Sequence, residues 1–422
     1  MQEVPGLALR FLDLFAGAGG LSEGFIQAGF EPVAHVEMDP AASFTLRTRM
    51  AYHHLRKVGD ISPYIAYLKQ ECTRSDFYRK VPARVIDSVI HSEIGDDTLP
   101  GIFDRIDAQL RGKSLDLIVG GPPCQAYSIA GRSRSPNGMV GDKRNYLFLY
   151  YGEFLKRYRP RYFVFENVTG LLTAKDLDRV RYLDKMKKVF DDCGYEATEE
   201  ILKAEDFGVP QYRTRVILVG KRTRSSFEYP MPSKIAKPRY AWDFLQDFPK
   251  IKALSGNPWA CAMKPDALRL LDGAMIRDEE VPVTHFWSRP QRDEDLEIYR
   301  LVVEHWNKHG QRLRYEELPT ELQFHKNTTD FADRFKVVAK YEPSHTVVAH
   351  IARDGHYYIH PDLSQNRSLT PREAARIQTF PDNYHFESML GTPSRTPAYR
   401  QIGNAVPVML ARKIAEKLNE VW

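Results

Sequence analysis

Cys124 stands in a setting that could support nucleophilic chemistry. It follows the segment Gly-Gly-Pro-Pro at 120–123, directly after the largely apolar run 115–119. A lone thiol is more often a small apolar group sealing a core. Here, however, glycines permit a sharp turn, and each proline fixes φ at about −65°, so that the next residue is aimed rather than packed. Because open α/β sheets bind ligands at the carboxyl ends of parallel strands, the pattern favours an exposed nucleophile.

Two further segments offer groups that could act with a thiol. Glu166 ends the apolar run 162–165, where poor solvation favours a protonated carboxyl and suits a proton donor. Arg213 and Arg215 alternate along an entering strand, so both guanidinium groups could point at one site. Each has a plainer interpretation, a helix cap or ion pair for the glutamate and a solvated edge strand for the arginines. Together with Cys124, they predict a covalent transferase site.

The first apolar strand leads into a glycine-rich turn that predicts a nucleoside-type pocket. The turn occupies 16–20, and a helix is expected to start directly after it. Glycines let a ligand approach backbone amides, and Glu37, at the end of the next strand, could bind ribose hydroxyls. The turn lacks the G-x-G-x-x-G spacing of dinucleotide sites. A ligand without phosphate, such as S-adenosylmethionine, suits it better.

The elements that must position these residues follow an α/β pattern. Short apolar runs alternate with amphipathic stretches between residues 9 and 220, which predicts a mostly parallel sheet covered by helices, as in Rossmann-like folds. Strands are expected at 8–15, 33–37, 89–91, 115–120, 162–166 and 215–220. Helices are expected at 21–28, 41–55, after Pro100, and at 146–158 and 177–192.

Composition sets broader limits on the class of protein. The 422 residues are 43% hydrophobic and carry a net charge of +5, which permits a polyanionic partner without a polybasic tail. The four cysteines are far apart, so we expect no metal site and a reducing compartment. The sequence shows neither a signal peptide nor an apolar run of membrane-spanning length, and we expect a cytoplasmic protein.

The chain divides into two predicted domains. Basic residues and prolines after residue 220 suggest a linker, and the α/β rhythm stops there. We predict a first domain at 1–222, completed by a C-terminal segment at 396–422 whose amphipathic helix packs back onto it. A second, smaller domain is predicted at 223–395.

Six motifs, in order, resemble those of the DNA cytosine-5-methyltransferase family, of the bacterial host-modification type. They cover nearly the whole chain and are 13–20 (DLFAGAGG), 121–125 (GPPCQ), 165–168 (FENV), 211–215 (QYRTR), 367–381 (RSLTPREAARIQTFP) and 401–407 (QIGNAVP). The resemblance implies a Rossmann-like S-adenosylmethionine-dependent methyltransferase domain. It also implies that 223–395 is a target-recognition domain.

The resemblance further implies the roles of the reactive groups. The Cys124 thiolate would add to carbon 6 of a cytosine flipped out of duplex DNA, which makes carbon 5 nucleophilic. Glu166 would bind and protonate ring nitrogen 3, while Arg213 and Arg215 would hold the carbonyl oxygen of the base and the surroundings of the thiol. After methyl transfer from S-adenosylmethionine, which leaves S-adenosylhomocysteine, loss of the carbon 5 proton would release the cysteine.

The same resemblance implies a set of ligand-binding residues. For the methyl donor they are Phe15 on the adenine, Gly17 and Gly20 at the methionine end, Glu37 on the ribose, and Met38, Leu147 and Asn404 around the pocket. For DNA they are Gln125, Ser128, Arg132, Arg134 and Thr346, with the glycine-rich and basic segment 130–144 as a mobile lid.

One family feature is displaced along the chain. The family has an aspartate in Gly-Asp-Ile shortly before the nucleophile, where it contacts the donor adenine. Here Gly-Asp-Ile at 59–61 lies too far upstream to follow a third strand, whereas Glu93 follows the run 89–91. We therefore expect Glu93 rather than Asp60 at the adenine. Residues 56–87 are interpreted as a helical insertion, with surface decoration as the plainer alternative.

Three other functions compete with this interpretation. A tRNA cytosine-5-methyltransferase is the principal alternative, although the long 225–395 segment favours a reader of duplex DNA. A nicotinamide-dependent oxidoreductase would leave Cys124, Glu166 and the arginines without a shared role, and the presence of those residues argues against an inactive regulator. We expect a sequence-specific, monomeric enzyme on prokaryotic nucleoid DNA, paired with a restriction or antiphage system.

Overall fold

The computed structural model describes residues 8–123, 146–223, 225–259, 261, 271, 274–324 and 334–422. Within them the main sheet has seven strands: β1 Arg10–Leu14, β2 Glu31–Glu37, β3 Val89–His91, β4 Leu117–Gly120, β5 Tyr162–Asn167, β6 Tyr195–Lys203 and β7 Thr214–Arg222. Their order across the sheet is β3-β2-β1-β4-β5-β7-β6. All neighbours from β3 to β5 are parallel, and β7 is antiparallel to β5 and β6. The prediction of a mostly parallel sheet is confirmed.

The helices of the first half of the chain cover this sheet and form the insertion. They are α1 Gly20–Gln27, α2 Pro40–Val58, α3 Ser62–Leu68, α4 Arg74–Tyr78, α5 Ala83–Asp87, α6 Leu99–Leu110, α7 Leu147–Tyr158 and α8 Tyr182–Asp192. Helix α2 begins at a local signal, because the Asp39 side chain accepts a hydrogen bond from the amide of Ala42 and proline is the first helical residue. It ends at Gly59, whose φ of 80° is left-handed.

The sequence prediction failed at two places in this half. Strand β6 was not expected, because its burial alternates weakly and polar residues fill the exposed edge of the sheet. Helix α8 begins at Tyr182 rather than at residue 177. The preceding residues form a turn in which Arg179 has a φ of 61° and the amide of Val180 donates to Asp176 Oδ1 at 2.9 Å.

The second half of the described chain contains short elements and two apolar clusters. Its helices are α9 Asp293–His309, α10 Pro371–Ile377, α11 Arg395–Asn404 and α12 Val408–Glu420, and its strands are β8 Gly256–Asn257 and β9 Phe286–Trp287. Short 3₁₀ turns lie at Thr169–Leu172, Ala204–Phe207, Ala241–Phe244, Tyr315–Glu317, Thr320–Leu322 and Ala349–Ala352. Helix α9 packs in a small cluster that includes Phe335 and Ile359. A second cluster joins Ala18 of the glycine-rich turn to residues on both sides of position 395.

Helix α12 packs against α1 and the sheet, as the sequence predicts. Ile414 and Leu418 lie in one apolar cluster with Phe25 of α1 and Val219 of β7. The two helices approach closely because α1 carries glycines on the shared face. A side chain on Gly20 would place its Cβ 2.2 Å from the carbonyl oxygen of Val406.

Substituting Gly24 tests this contact. An added Cβ would lie 2.5 Å from the Cβ of Ala411 and 2.5 Å from the amide nitrogen of Arg412. We expect Gly24→Ala to lower the free energy of unfolding by about 1–3 kcal/mol, measured by urea denaturation, because overpacking forces the helices apart. Gly101→Ala in α6 is the matched control, since its Cβ would meet nothing within 4 Å. Equal losses in both variants would contradict the prediction.

Candidate active site

Glu166 and Arg215 form an ion pair at the carboxyl end of β5. Arg215 Nε lies 2.7 Å from Glu166 Oε1, with 12% and 15% of the two side chains exposed. The antiparallel register of β5 and β7 places Glu166 opposite Ile217, so that the end of β5 lies beside the start of β7. Sequence reasoning expected a poorly solvated carboxyl here. The structure adds a guanidinium in direct contact with this carboxyl.

The chain that leads to the predicted nucleophile rests on this glutamate. A Cβ on Gly121 would lie 2.7 Å from Glu166 Oε2 and 2.6 Å from its carbonyl oxygen, so only glycine fits. Asn167 Nδ2 donates to the carbonyl oxygen of Pro122 at 3.3 Å. The segment 121–122 is therefore held against the end of β5. The lid segment 130–144 lies outside the described residues. So do five predicted site residues: Cys124, Gln125, Ser128, Arg132 and Arg134.

Arg213 has different partners from Arg215. Its guanidinium is buried and donates to the carbonyl oxygens of Val347 at 2.7 Å and Ala405 at 2.9 Å, with longer contacts to Gly403. Sequence reasoning expected both arginines to face one site. The structure instead shows Arg213 tying the entry of β7 to two later segments of the chain.

Thr346 lies at the same junction. Its hydroxyl donates to the carbonyl oxygen of Tyr212, and the neighbouring amide of Val347 donates to the side chain of buried Gln211 at 2.9 Å. The segment 344–347 is thereby fixed beside the strand that carries Arg215. The predicted DNA-contacting threonine, although distant in sequence, therefore lies close in space to the start of β7, which carries Arg215.

The glycine-rich turn and Glu37 form a second polar site at the same edge of the sheet. Gly17 has a φ of 55°, an added Cβ there would meet nothing within 4 Å, and its amide donates to Glu37 Oε2 at 2.7 Å. Glu37 Oε1 accepts from the amide of Asp39 at 2.7 Å. Burial raises the pKa of Glu37, although those two amides oppose the shift. Open space before a buried carboxylate can take a ligand with hydroxyl groups.

The structure separates the two candidates for the adenine contact. The amide of Ser92 donates to the carbonyl oxygen of Glu37 at 3.0 Å, so exposed Glu93 follows a residue bonded to that site. Asp60 lies beyond the far end of α2, whose 19 residues span about 28 Å, and it binds the hydroxyl of Ser62. The geometry favours Glu93.

The remaining donor-site candidates are placed as follows. Phe15 has a φ of 57° and is a partly buried residue that packs against the apolar cluster containing Leu14 of β1. Met38 is exposed. Leu147 is the half-buried first residue of α7, and Asn404 is the exposed last residue of α11. Gly20, expected at the methionine end of the donor, faces the carbonyl oxygen of Val406, which by itself accounts for the glycine.

Sequence reasoning assigned no role to Asp13, although it is an acidic residue in the largely apolar strand β1. Its side chain is buried within β1, and Oδ2 has no hydrogen-bond partner among the described residues. Burial, and then repulsion from Glu37, raises the pKa of Asp13 well above its ordinary value. A buried carboxyl group with a raised pKa therefore lies at the strand that leads into the glycine-rich turn. The described residues contain no cluster of three His, Cys, Asp or Glu suited to a metal ion.

Comparison with solved structures supports the fold. A crystal structure described as a DNA modification methyltransferase encoded within an E. coli prophage superposes with a TM-score of 0.62 at 22% identity, covering 98% of this chain and 99% of that one. The Entamoeba histolytica methyltransferase EhMeth gives 0.55 at 13% identity, covering 99% of each chain. Within the described part of the chain, no helix is long and apolar enough to cross a membrane.

Comparison with related sequences establishes the family. The type II methyltransferase M.Bpa9945I of Bacillus paralicheniformis is 39% identical over 97% of this chain and 98% of its own length. M.XorII of Xanthomonas oryzae is 30% identical over 96% of this chain and 84% of its own length. The model of the C-5 cytosine-specific DNA methylase family matches residues 9–68 and 92–420. The chain therefore belongs to the C-5 cytosine-specific DNA methylases, and it is a DNA cytosine-5-methyltransferase.

Proposed function

We propose that this enzyme is the sequence-specific modification methyltransferase of a restriction or antiphage system. It would act as a monomer on nucleoid DNA in a prokaryotic cytoplasm. The observation that carries the proposed chemistry is the Glu166–Arg215 pair, against which the chain leading to Cys124 is held. The related proteins named as type II methyltransferases support the biological role.

The reactive step requires activation of the base, because carbon 5 of cytosine is a poor nucleophile. In the proposed reaction the Cys124 thiolate forms a bond to carbon 6, and ring nitrogen 3 takes a proton from Glu166. Glu166 takes that proton from solvent before it gives it to the ring, and Arg215, which contacts Glu166, would hold the carbonyl oxygen of the base. Once carbon 5 carries the methyl group, removal of the carbon 5 proton expels the thiolate, and ring nitrogen 3 returns its proton to Glu166, which restores the ring.

The family and the fold imply S-adenosylmethionine as cofactor, and the residues at the glycine-rich turn fit it. When bound, it supplies the methyl group from its sulfonium centre. Glu37 would accept hydrogen bonds from the ribose hydroxyls, since the amides of Gly17 and Asp39 fix both of its oxygens. Phe15 and Glu93 would contact the adenine, and the remaining pocket residues would be Gly17, Gly20, Met38, Leu147 and Asn404.

The target base must leave the DNA stack to reach this site, which costs a few kcal/mol. We propose that Gln125, Ser128, Arg132 and Arg134 contact the flipped nucleotide and the phosphates around it. Thr346, fixed to Tyr212, would support the nucleotide from the opposite side. Residues 223–395 would read the target sequence.

Covalent trapping tests the nucleophile and the substrate together. A duplex synthesised with 5-fluorodeoxycytidine throughout one strand presents many sequence contexts, and fluorine at carbon 5 blocks release of the enzyme. With S-adenosylmethionine, we expect the wild-type chain to form a complex that resists denaturing electrophoresis. Cys124→Ser should form none, because its hydroxyl is a far weaker nucleophile.

Cys193→Ser is the control for this experiment, since Cys193 lies at the end of α8 and should leave trapping unchanged. A matched arm uses tRNA transcripts containing 5-fluorocytidine. Trapping on tRNA alone would contradict the DNA substrate, and trapping by Cys124→Ser would contradict the nucleophile.

Substitutions of Arg213 and Arg215 should have different effects on stability and activity. Arg213→Met leaves buried carbonyl groups without a donor, so we expect the free energy of unfolding to fall by roughly 2–4 kcal/mol. Arg215→Met should cost about 1 kcal/mol or less and lower kcat at least about 100-fold, in line with losing electrostatic stabilisation of the reacting base. Urea denaturation and steady-state kinetics measure both. A stable but inactive Arg213→Met would contradict the assignment.

Alanine variants of Glu93 and Asp60 test the adenine contact. We expect Glu93→Ala to weaken binding of S-adenosylhomocysteine about 10- to 150-fold, the range of one charge-assisted hydrogen bond. Asp60→Ala should bind as the wild type does, because Asp60 follows the distant end of α2. Isothermal titration calorimetry measures both, and the reverse order would overturn the choice of Glu93.

A further inference from the structure

We propose that the helical insertion positions the methyl-donor loop and thereby sets the enzyme's affinity for the donor. The insertion, residues 56–87, contains α3, α4 and α5, and it acts through a short stretch that we name the brace, residues 383–387. The family model leaves 69–91 unmatched, so this device lies partly outside what the family shares. The inference rests on the proposed donor site at 16–20.

The insertion holds the brace at both of its ends. Tyr64, fully buried in α3, donates from its hydroxyl to the carbonyl oxygen of Asn383 at 2.7 Å. Tyr67 donates to Glu387 Oε1 at 2.8 Å, and Arg74 donates to Glu387 Oε2 at 3.2 Å. The insertion is therefore attached to the brace by side-chain hydrogen bonds and does not simply lie over it.

The brace in turn holds the donor loop. The hydroxyl of Tyr384 donates to the carbonyl oxygen of Ala18, and an added Cβ on Gly19 would lie 2.9 Å from that hydroxyl. Arg49 links the same stretch to α1, because it donates to Asn383 Oδ1 at 2.8 Å and to Glu23 at 2.6 Å and 2.8 Å. The turn and the helix that follows it are thus both fixed from the brace.

A third connection reaches α11. Gln401 Nε2 donates to the carbonyl oxygen of Glu387 at 2.9 Å, and its Oε1 accepts from Thr45 at 2.6 Å. Asn404, a predicted donor-pocket residue, ends the same helix. The brace therefore joins two separate walls of the proposed donor pocket.

Buried Glu387 stabilises one position of the brace relative to the insertion. The Glu387 side chain has no exposed surface, and a carboxylate in that setting is stable only while its donors are in place. Those donors come from Thr48 of α2 and from Tyr67 and Arg74 of the insertion. A displaced insertion would remove two of these three donors from the buried carboxyl, so movement of the brace is disfavoured while the insertion is docked.

The experiment removes one hydroxyl from the insertion and measures donor binding. We expect Tyr64→Phe to weaken S-adenosylhomocysteine binding about three- to tenfold by calorimetry, the range open to one neutral hydrogen bond. The KM for S-adenosylmethionine should rise in parallel, while kcat and the KM for DNA stay unchanged. Arg74→Met should act in the same direction, with partial rescue by Arg74→Lys.

Tyr195→Phe is the matched control. Tyr195 is equally buried, and its hydroxyl donates to the carbonyl oxygen of Pro160 at the same 2.7 Å, at the opposite edge of the sheet. It should lose comparable thermal stability without weakening donor binding. Tyr64→Phe combined with Tyr384→Phe should bind no more weakly than Tyr384→Phe alone, because the coupling runs through the brace.

Equal donor binding by Tyr64→Phe, Arg74→Met and Tyr195→Phe would overturn this inference and leave the proposed function standing. Additive losses in the double variant would also overturn it. A wild-type chain that does not bind S-adenosylhomocysteine would overturn both the proposed function and the inference.

Discussion

The antiparallel pairing of β7 with β5 is the constraint on which the site depends. In a fully parallel sheet, the first residue of one strand and the last residue of its neighbour lie at opposite ends of the two strands. Because β7 runs in reverse, Arg215 at its start meets Glu166 at the end of β5. Gly121 then brings the end of β4 onto the same carboxylate. Three segments that are distant in sequence therefore meet at one point because a single strand, β7, runs antiparallel to its neighbours.

Several basic residues of the motifs support the architecture rather than the chemistry. Arg367, Arg372 and Arg376 are fully buried, as is Arg213. Arg367 forms a bidentate ion pair with Glu373, with both contacts at 2.7 Å. Arg376 forms ion pairs with Asp382 and Asp247. Buried guanidinium groups are stable where carboxylates or carbonyl oxygens accept their hydrogen bonds, so each of these arginines specifies the path of a segment that contains little regular structure.

Much of the fold could be predicted from sequence because β1 to β5 and β7 are short apolar runs with clear limits. Strand β6 lacks that pattern, since an edge strand buries only part of one face. In the site, residue type and position along a strand were enough to predict Glu37 and Glu166 as site residues. The partners of Arg213 were not predictable, because alternation along a strand cannot show that carbonyl groups of residues 347 and 405 occupy its face.

The close packing of α1 against α12 makes the placement of α1 dependent on a segment that is synthesised late. The glycine-rich turn and α1 leave the ribosome early, yet the helix that packs on Gly24 ends only at Glu420. A nascent chain that stops before residue 408 has its donor turn but lacks the surface that holds α1 in place. Contacts of such high sequence separation form late in folding. The surface that holds α1 and the turn before it is therefore complete only after α12 has been translated.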